Sequence, residues 1–551
     1  MHFPRLRALA LVTTVLAWGC TPGGGCRGDG CGTIVFAAIG QPVTLLPPVS
    51  DEIVDRDISD QIFLKLADIG PLGNTIGEAG FEPQLADRWR WADSLTLRFH
   101  IDARATWQDG PKVSAADVAF TFRAVTDSAL DSPFRSSLAR IASVTTDGDS
   151  VAVFHFRERY PEMFYDAVYQ LRILPEHLLK SLPLAQWRTA DFGRAPVGDG
   201  PYRFVRWIQG QRVELAADST FFLGRPHIHR LIWRFNDDLA VAVTQVVAGE
   251  ADAIEVLVTP ANIERVRQTP RLARYPYAGS AYALLAFNLR ARGRPSAPHP
   301  VLGDPDVRRA LVLATDRVRM AQSVFGTAAK VPPAPIPQSW ATLWFADLPV
   351  PPYDTVQAGR LLEARGWRDS DGDGIRDRGG HPLGFAIAVP GTSAVRKQYA
   401  RLIQEQLRAV GVAVTIDEMD GPTMRERTHR GDFDAAIQTW SNDPAPSSGV
   451  PQAWSRNGET NFGHYDNPAF DRELARATHA TTPEEARNAW RAAFGILAQD
   501  APAIILCAPD NIAAIDARVA DVRLRPDAYW AYVRNWRIPR DRMTDRDRLA
   551  P

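Results

Sequence analysis

The residues with the most evident chemistry are carboxylates. Asp369-Ser370-Asp371-Gly372-Asp373-Gly374-Ile375-Arg376-Asp377 carries acids at its first, third and fifth positions, with Gly at the sixth. Hard Ca²⁺ is held by several such oxygens gathered in a tight turn. The twelfth position is Gly380, where a bidentate Glu is needed, and the aliphatic Ile375 comes one place early. The segment is therefore expected to be a solvated turn, and no metal site is assigned. A second acid, Asp443, stands in Trp440-Ser441-Asn442-Asp443-Pro444, directly after an apolar strand. Read from its own residues, it is a turn residue before proline.

Histidine offers less. His227-x-His229 is a close pair, but two imidazoles alone do not make a metal site, and Met is scarce at 6. Glu176-His177 has the residue types of an acid/base pair, yet it opens a short helix, where a structural or solvated role is expected. Gly23-x-Gly25-x-x-Gly28 has the spacing of a dinucleotide fingerprint, but no strand precedes it and no helix follows. Gly-x-x-x-x-Gly-Lys-Ser/Thr, His-Glu-x-x-His and Gly-x-Ser-x-Gly do not occur. No enzyme signature is therefore assigned and no cofactor is expected, and an organic ligand is favoured over a bare metal ion.

These residues need a large scaffold. At 551 residues the chain is too long for one core and should form two or three lobes. Lys+Arg 63 against Asp+Glu 64 leaves a net charge of −1, with no basic footprint for nucleic acid. No internal run is long and apolar enough to span a bilayer. At the N-terminus Arg5 and Arg7 precede the short apolar stretch Ala8 to Ala17, which reads as an export signal. It ends Leu16-Ala17-Trp18-Gly19-Cys20, which looks like a lipoprotein signal in which Cys20 is lipidated. Ala17 stands where Leu is commonest and Trp18 is bulky for its place, and Ala17-x-Gly19 also suits ordinary cleavage. Lipidation of Cys20 is the favoured reading, and either route exports the protein. Residues 21–32 form a Gly-rich tether in which Cys26 and Cys31 could close a small disulfide loop. Cys507 lies in an apolar strand and is expected to be a buried small hydrophobe.

Along the chain, Thr33 to Ala38 reads as a buried strand and Asp60 to Leu66 as a helix. Leu95, Leu97, Phe99 and Ile101 alternate with polar residues as a half-buried strand. Asp109-Gly110 then turns the chain, and Ser114 with Asp117 three residues on has the form of a capping box for the next helix. Ala195-Pro196-Val197-Gly198-Asp199-Gly200-Pro201-Tyr202 imposes a defined reversal. Gly249 is placed to stop the helix Ala240 to Ala248 in a left-handed conformation. Strands are expected at Tyr282 to Asn288, Val412 to Ile416, Phe433 to Trp440 and Ala503 to Cys507. Helices are expected from Asp306, over Ala358 to Arg365, Val395 to Val410 and Glu484 to Ala498.

The stretch Glu82 to Phe122, the Gly198-Asp199-Gly200-Pro201-Tyr202 turn and Gly249-Glu250-Ala251-Asp252 resemble the family 5 extracellular solute-binding proteins. These are the oligopeptide-, dipeptide- and nickel-binding components of ABC importers. The family usually has Thr where Asp199 stands. The resemblance covers about Thr33 to Pro539. It implies an α/β, two-lobed periplasmic-binding-protein-like fold of type II, with an extra subdomain on the first lobe. The implied layout is a signal at 1–20, a tether at 21–32 and a first-lobe core at 33–50, 190–272 and 503–540. The extra subdomain is then 51–189, the second lobe 273–502 and a frayed tail 541–551, with Ala503 to Cys507 returning to the first lobe. The resemblance also implies that Trp440 and Asp443 bind the ligand, Asp443 pairing with a peptide α-ammonium and Trp440 stacking on it or packing beneath. The implied partners are a peptide or other small solute, an ABC transporter permease and, through a lipid anchor, the membrane. A monomer in the periplasm or cell envelope is expected, with no nucleic acid. Alternatives are a receptor for a metal chelate, sugar or organic cation, a sensory or chaperone-like lipoprotein without a permease, and a secreted hydrolase on the same scaffold.

Overall fold

The computed structural model describes residues 31–548, apart from 258 and 327. The export signal, Cys20 and Cys26 lie outside the described residues. Cys31 is disulfide-bonded.

Two large sheets organise the chain. The first has seven strands, in the order Leu272–Tyr277, Asn511–Asp516, Ala253–Ile254, Thr33–Ile39, Arg230–Asn236, Arg212–Ala217 and Tyr202–Ile208. Thr33–Ile39 is its spine, parallel to Arg230–Asn236 with Thr33 opposite Arg230. Its first six residues are buried, as an unbroken apolar run covered on both faces requires. Phe36 stacks on Trp233 with ring centres 4.7 Å apart. The second sheet has six strands, in the order Ala329–Lys330, Ala503–Pro509, Ala281–Phe287, Ala435–Ser441, Gly384–Pro390 and Ala413–Met419. A smaller four-stranded sheet, Ala86–Asp93, Thr96–Ile101, Val151–Phe156 and Ile141–Asp147, stands apart from both. Leu97, Phe99 and Ile101 point into its core, and the helix Ala115–Thr126 covers it. The Ser114–Asp117 capping box is formed. Asp117 also accepts the Glu176 amide at 2.9 Å, which ties a second helix start to the first. His177 meets Asp109 at 2.9 Å.

The chain passes between the two large sheets at residues 278–280 and at Asp510. There it departs from expectation. Ala503–Pro509 is a central strand of the second sheet, pairing with Ala281–Phe287 and not with the first sheet. The physical reason is burial on both faces. Ile504, Leu506 and Cys507 join the core on one side of that sheet, and Ala503, Ile505 and Ala508 the core on the other. The return to the first sheet begins at Asn511. Likewise Leu272–Tyr277 still belongs to the first sheet, beyond the boundary expected at 273. Gly279 is required at the passage, because a Cβ there would lie 2.1 Å from the Pro509 carbonyl oxygen.

Two further expectations are corrected. The first helix spans Ile53–Ile62 rather than Asp60 to Leu66. A long-range contact ends it: Gly200 donates its amide to the Ile62 carbonyl at 2.8 Å, and Asp199 takes the Leu64 amide at 2.8 Å. A Cβ on Gly198 would meet the Ile62 carbonyl oxygen at 1.9 Å, so the reversal needs glycine to seat against the helix end. The expected frayed tail is docked as far as it is described. Asp547 is buried, accepts the Thr33 amide at 3.0 Å and pairs with Arg518 at 3.1 Å. Arg546 pairs with the buried Asp252 at 2.6 Å. The charged tail thus finds counter-charges waiting at the ends of the first sheet's central strands.

Candidate functional site

Between the two large sheets and the small one lies a cleft of ≈ 940 Å³. The Ile53–Ile62 helix supplies its first wall. Ile58, Ser59 and Ile62 are buried on the helix's inner face. Arg56 and Asp60, four residues apart, share the cleft face with Asp57 between them. The Gly198–Gly200 reversal fixes where this helix ends, and so fixes the wall.

The floor is made of charges that are already partnered. Asp60 holds Arg172 at 2.6 Å. Burial works against its ionisation, but Arg172 and Lys65 outweigh that and lower it to about 2. Arg525 pairs with Asp68 at 2.7 Å and with Asp527 at 2.8 Å. Burial, with Arg172 adding to it, depresses the Lys65 ammonium to about 8, and this ammonium sits 4.5 Å over the Tyr169 ring. Tyr165 and Tyr169 stack at 4.6 Å along the side of the cleft, and the Tyr169 hydroxyl donates to Asp527 at 3.3 Å.

Above this floor the charges are open. Among the described residues Arg56 makes no ion pair. Burial opposes its charge, and the nearby Tyr169, Asp60, Asp57 and Asp443 together reinforce it. Burial and then Glu255 push Asp57 well above the usual carboxylate range, against the pull of Arg56.

The second sheet supplies the opposite wall. Ala281 pairs with Ser441, which sets Ser280 beside Asn442 just past the sheet. The Asn442 amide and side chain both bind the Ser280 carbonyl, at 2.9 and 3.2 Å, and pin the exit of the strand. Asp443 follows. Its carbonyl accepts the Trp340 indole N–H at 2.7 Å, and its carboxylate is exposed to the cleft without an ion pair among the described residues. The first lobe's Arg56 and the second lobe's Asp443 therefore face one another, close enough to feel each other's charge. Arg140 reaches across the cleft rim to donate to the Thr478 carbonyl at 3.3 Å.

Of the two residues singled out in the sequence, Asp443 lines the cleft and Trp440 does not. The Trp440 indole donates to Gln438 at 2.9 Å and packs 5.4 Å from Trp454 and 6.1 Å from Tyr282, one layer behind. Sequence reasoning missed Arg56, Asp57, Tyr165 and Tyr169. A signal existed for the first pair: Val54, Ile58 and Ile62 repeat every four residues, with charges between them. That pattern also describes any solvated helix face. The acid turn gathers Asp369, Asp371 and Asp373 on the surface. Its oxygens bind the turn's own amides, Asp369 accepting from Gly372 at 2.8 Å and from Gly374 at 3.1 Å. Cys507 is buried beside the Tyr399 hydroxyl at 3.0 Å, and burial raises its thiol to about 11.

Residues 80–462 match the model of the bacterial extracellular solute-binding proteins, family 5. The oligopeptide-binding protein AppA of Bacillus subtilis is 24% identical over 513 residues, covering 92% of this chain and 91% of that protein. A putative ABC transporter peptide-binding protein of Brucella ovis is 28% identical over 408 residues, 71% of this chain and 72% of its own. Among solved structures, the substrate-binding protein CtaP of Listeria monocytogenes superposes with a TM-score of 0.79 at 19% identity, over 92% of this chain and 99% of that one. AppA of Bacillus subtilis in complex with a nonapeptide gives 0.68 at 23% identity, with the same coverage.

Proposed function

Because this chain belongs to the bacterial extracellular solute-binding proteins of family 5, we propose that it captures peptides in the cleft between its two lobes and delivers them to an ABC transporter permease. The fold is the two-lobed, family 5 type of periplasmic binding protein. Capture proceeds by hinge closure at residues 278–280 and Asp510, the two passages between the sheets. The ligand contacts both walls and shifts the population toward the closed state. Asp443 takes the ligand's ammonium and Arg56 takes an anionic group such as its carboxylate. Trp440 braces the wall from behind. Cys20 carries a lipid anchor that keeps the monomeric receptor at the membrane, and no bond is broken in the cycle.

The observation that carries this reading is the pair of open, opposite charges on facing walls, above a floor whose charges are already paired. A peptide brings one charge of each sign to such a site. Relatives whose names record peptide binding support it. The test is native mass spectrometry of the purified protein, followed by titration with synthetic peptides. Co-purifying peptides, or saturable peptide binding lost in Asp443→Asn, are expected. A co-purifying metal chelate or sugar, with no peptide binding, would overturn the reading.

A further inference from the structure

The helix Pro446–Trp454 follows directly on Asp443 and belongs to the second lobe's side of the cleft. Its N-cap position is Ala445, which has no side chain to satisfy the first amides. The cap comes from the other side. Glu162, just before the Met163–Val168 helix of the small-sheet region, is 4% exposed. It accepts a hydrogen bond from the Ser447 hydroxyl, and the Ser447 amide beside it also favours the ionised carboxyl. A carboxyl from one side of the cleft thus caps a helix on the other. Its second oxygen, Oε1, is buried without a partner among the described residues.

We propose that Glu162 is a positioning residue of the closed receptor: capping the Pro446–Trp454 helix through Ser447 is a latch that closure makes and opening breaks. Opening returns Glu162 to water and leaves the helix start uncapped. The latch is also linked to protons. An ionised carboxylate with an oxygen left bare in the interior is costly, whereas a neutral carboxyl is tolerated. Burial raises Glu162 to about 7, with Ser447 and Arg140 pulling the other way. The other titratable groups facing it are Asp166 and Tyr160. Asp166 is raised to about 8 by burial and by Glu162 itself, and takes the Tyr160 hydroxyl at 2.7 Å. Both stand on the same side of the cleft as Glu162, so closure changes them less. The sign follows. Glu162 titrates near 7 when the cleft is closed and near its ordinary value of 4.5 when solvated, so closure takes up a proton. The closed state is most favoured at acid pH and loses that advantage as pH rises toward 7.

The inference rests on the closure part of the proposed function, but its test needs no ligand. Spin labels on cysteines at the exposed Val205 and Val356, one in each lobe, report open and closed distances in the full chain. The wild-type closed-to-open ratio should fall by up to about tenfold per pH unit between pH 4.5 and 7 and level off above. Glu162→Gln keeps an acceptor for Ser447 but cannot titrate, so the slope due to Glu162 should vanish and only that of Asp166 remain. Ser447→Ala, on the surface of the cleft, should lower the ratio at every pH without removing the slope. Identical pH profiles in wild type and Glu162→Gln would overturn the proposal. So would a single unchanging distance in every sample, since there would be no closure to latch. Loss of peptide binding with the pH profile intact would count against peptide capture and leave the latch standing.

Discussion

Charge is handled in opposite ways at the ends of the first sheet's central strands and in the cleft. At the strand ends, Asp252 is fully buried and every oxygen is engaged: Val35 donates its amide at 2.9 Å, Arg518 pairs at 2.7 Å and Arg546 at 2.6 Å. Arg518 goes on to Asp547, which holds Thr33, so six residues from distant parts of the chain close one network. In the cleft, Arg56 and Asp443 face each other with no ion pair of their own among the described residues. The first arrangement secures the spine strand and the C-terminal segment. The second leaves two desolvation-sensitive charges open to whatever enters. Groups of the same type, in one chain, are distinguished by whether their partners are internal.

That contrast predicts where substitutions act. The largest effect is expected from Arg518→Ala, which strands buried Asp547 and leaves buried Asp252 paired with Arg546 alone among the described residues. Unfolding in denaturant should show a loss of about 3–5 kcal/mol. Ligand affinity of the folded fraction should be unchanged, and an equal loss of affinity would erase the distinction between the two regions. Arg56→Gln should do the reverse. Stability should stay within about 0.5 kcal/mol of wild type, while calorimetric affinity for peptides with a free carboxylate falls by about 1.5–3 kcal/mol. Peptides with an amidated end should lose little. If both peptide forms weaken alike, Arg56 does not meet the carboxylate.

The cleft floor belongs with these strand ends and sharpens the comparison through acid. Asp60 is lowered from 3.8 to about 2 by Arg172 and Lys65 against burial. Its folded value is depressed, so its contribution is complete above the unfolded value and is lost as pH falls through the folded one. Stability should drop on the order of 2 kcal/mol between pH 3.8 and 2 from this group, and the drop should be missing in Asp60→Asn. A pH-independent midpoint in the wild type over that range would contradict the assignment.

The smallest effect is expected at Asp199. Burial holds its carboxyl well above the usual range, and one oxygen has no partner among the described residues. Asp199→Asn keeps the acceptor for the Leu64 amide, so the melting temperature at pH 7 should change by no more than about 0.5 kcal/mol in equivalent stability. A strong destabilisation would mean that the ionised form holds the turn.

Much of the fold was legible because it is locally encoded. The Ser114–Asp117 capping box, the alternation at Leu97, Phe99 and Ile101, and the left-handed Gly249 stop each depend on residues within a few positions, and each is present. What was missed depends on distant residues. The first helix ends at Ile62 because Gly198 to Gly200 press on it from far along the chain, and no local signal marks that end. With the helix misplaced, Arg56 and Asp57 could not be read as cleft residues. The tail looked frayed because its charges are only quenched by Asp252, Arg518 and Thr33. Asp443 was expected at the ligand because Trp440-Ser441-Asn442-Asp443 resembles the family's ligand element, not because a local signal marks it, and it does line the cleft. Trp440, within the strand before it, alternates to the other face.

The central claim is that Asp443 pairs with the ligand's ammonium. It is tested most directly by a double cycle: calorimetric affinities of a peptide with free and with acetylated amine, for wild type and for Asp443→Asn. Each change alone should cost about 2–5 kcal/mol, because either one leaves a desolvated charge unpaired. Combined, they should cost little more than one, since both delete the same interaction. Fully additive losses would place the ammonium elsewhere in the cleft and contradict the account.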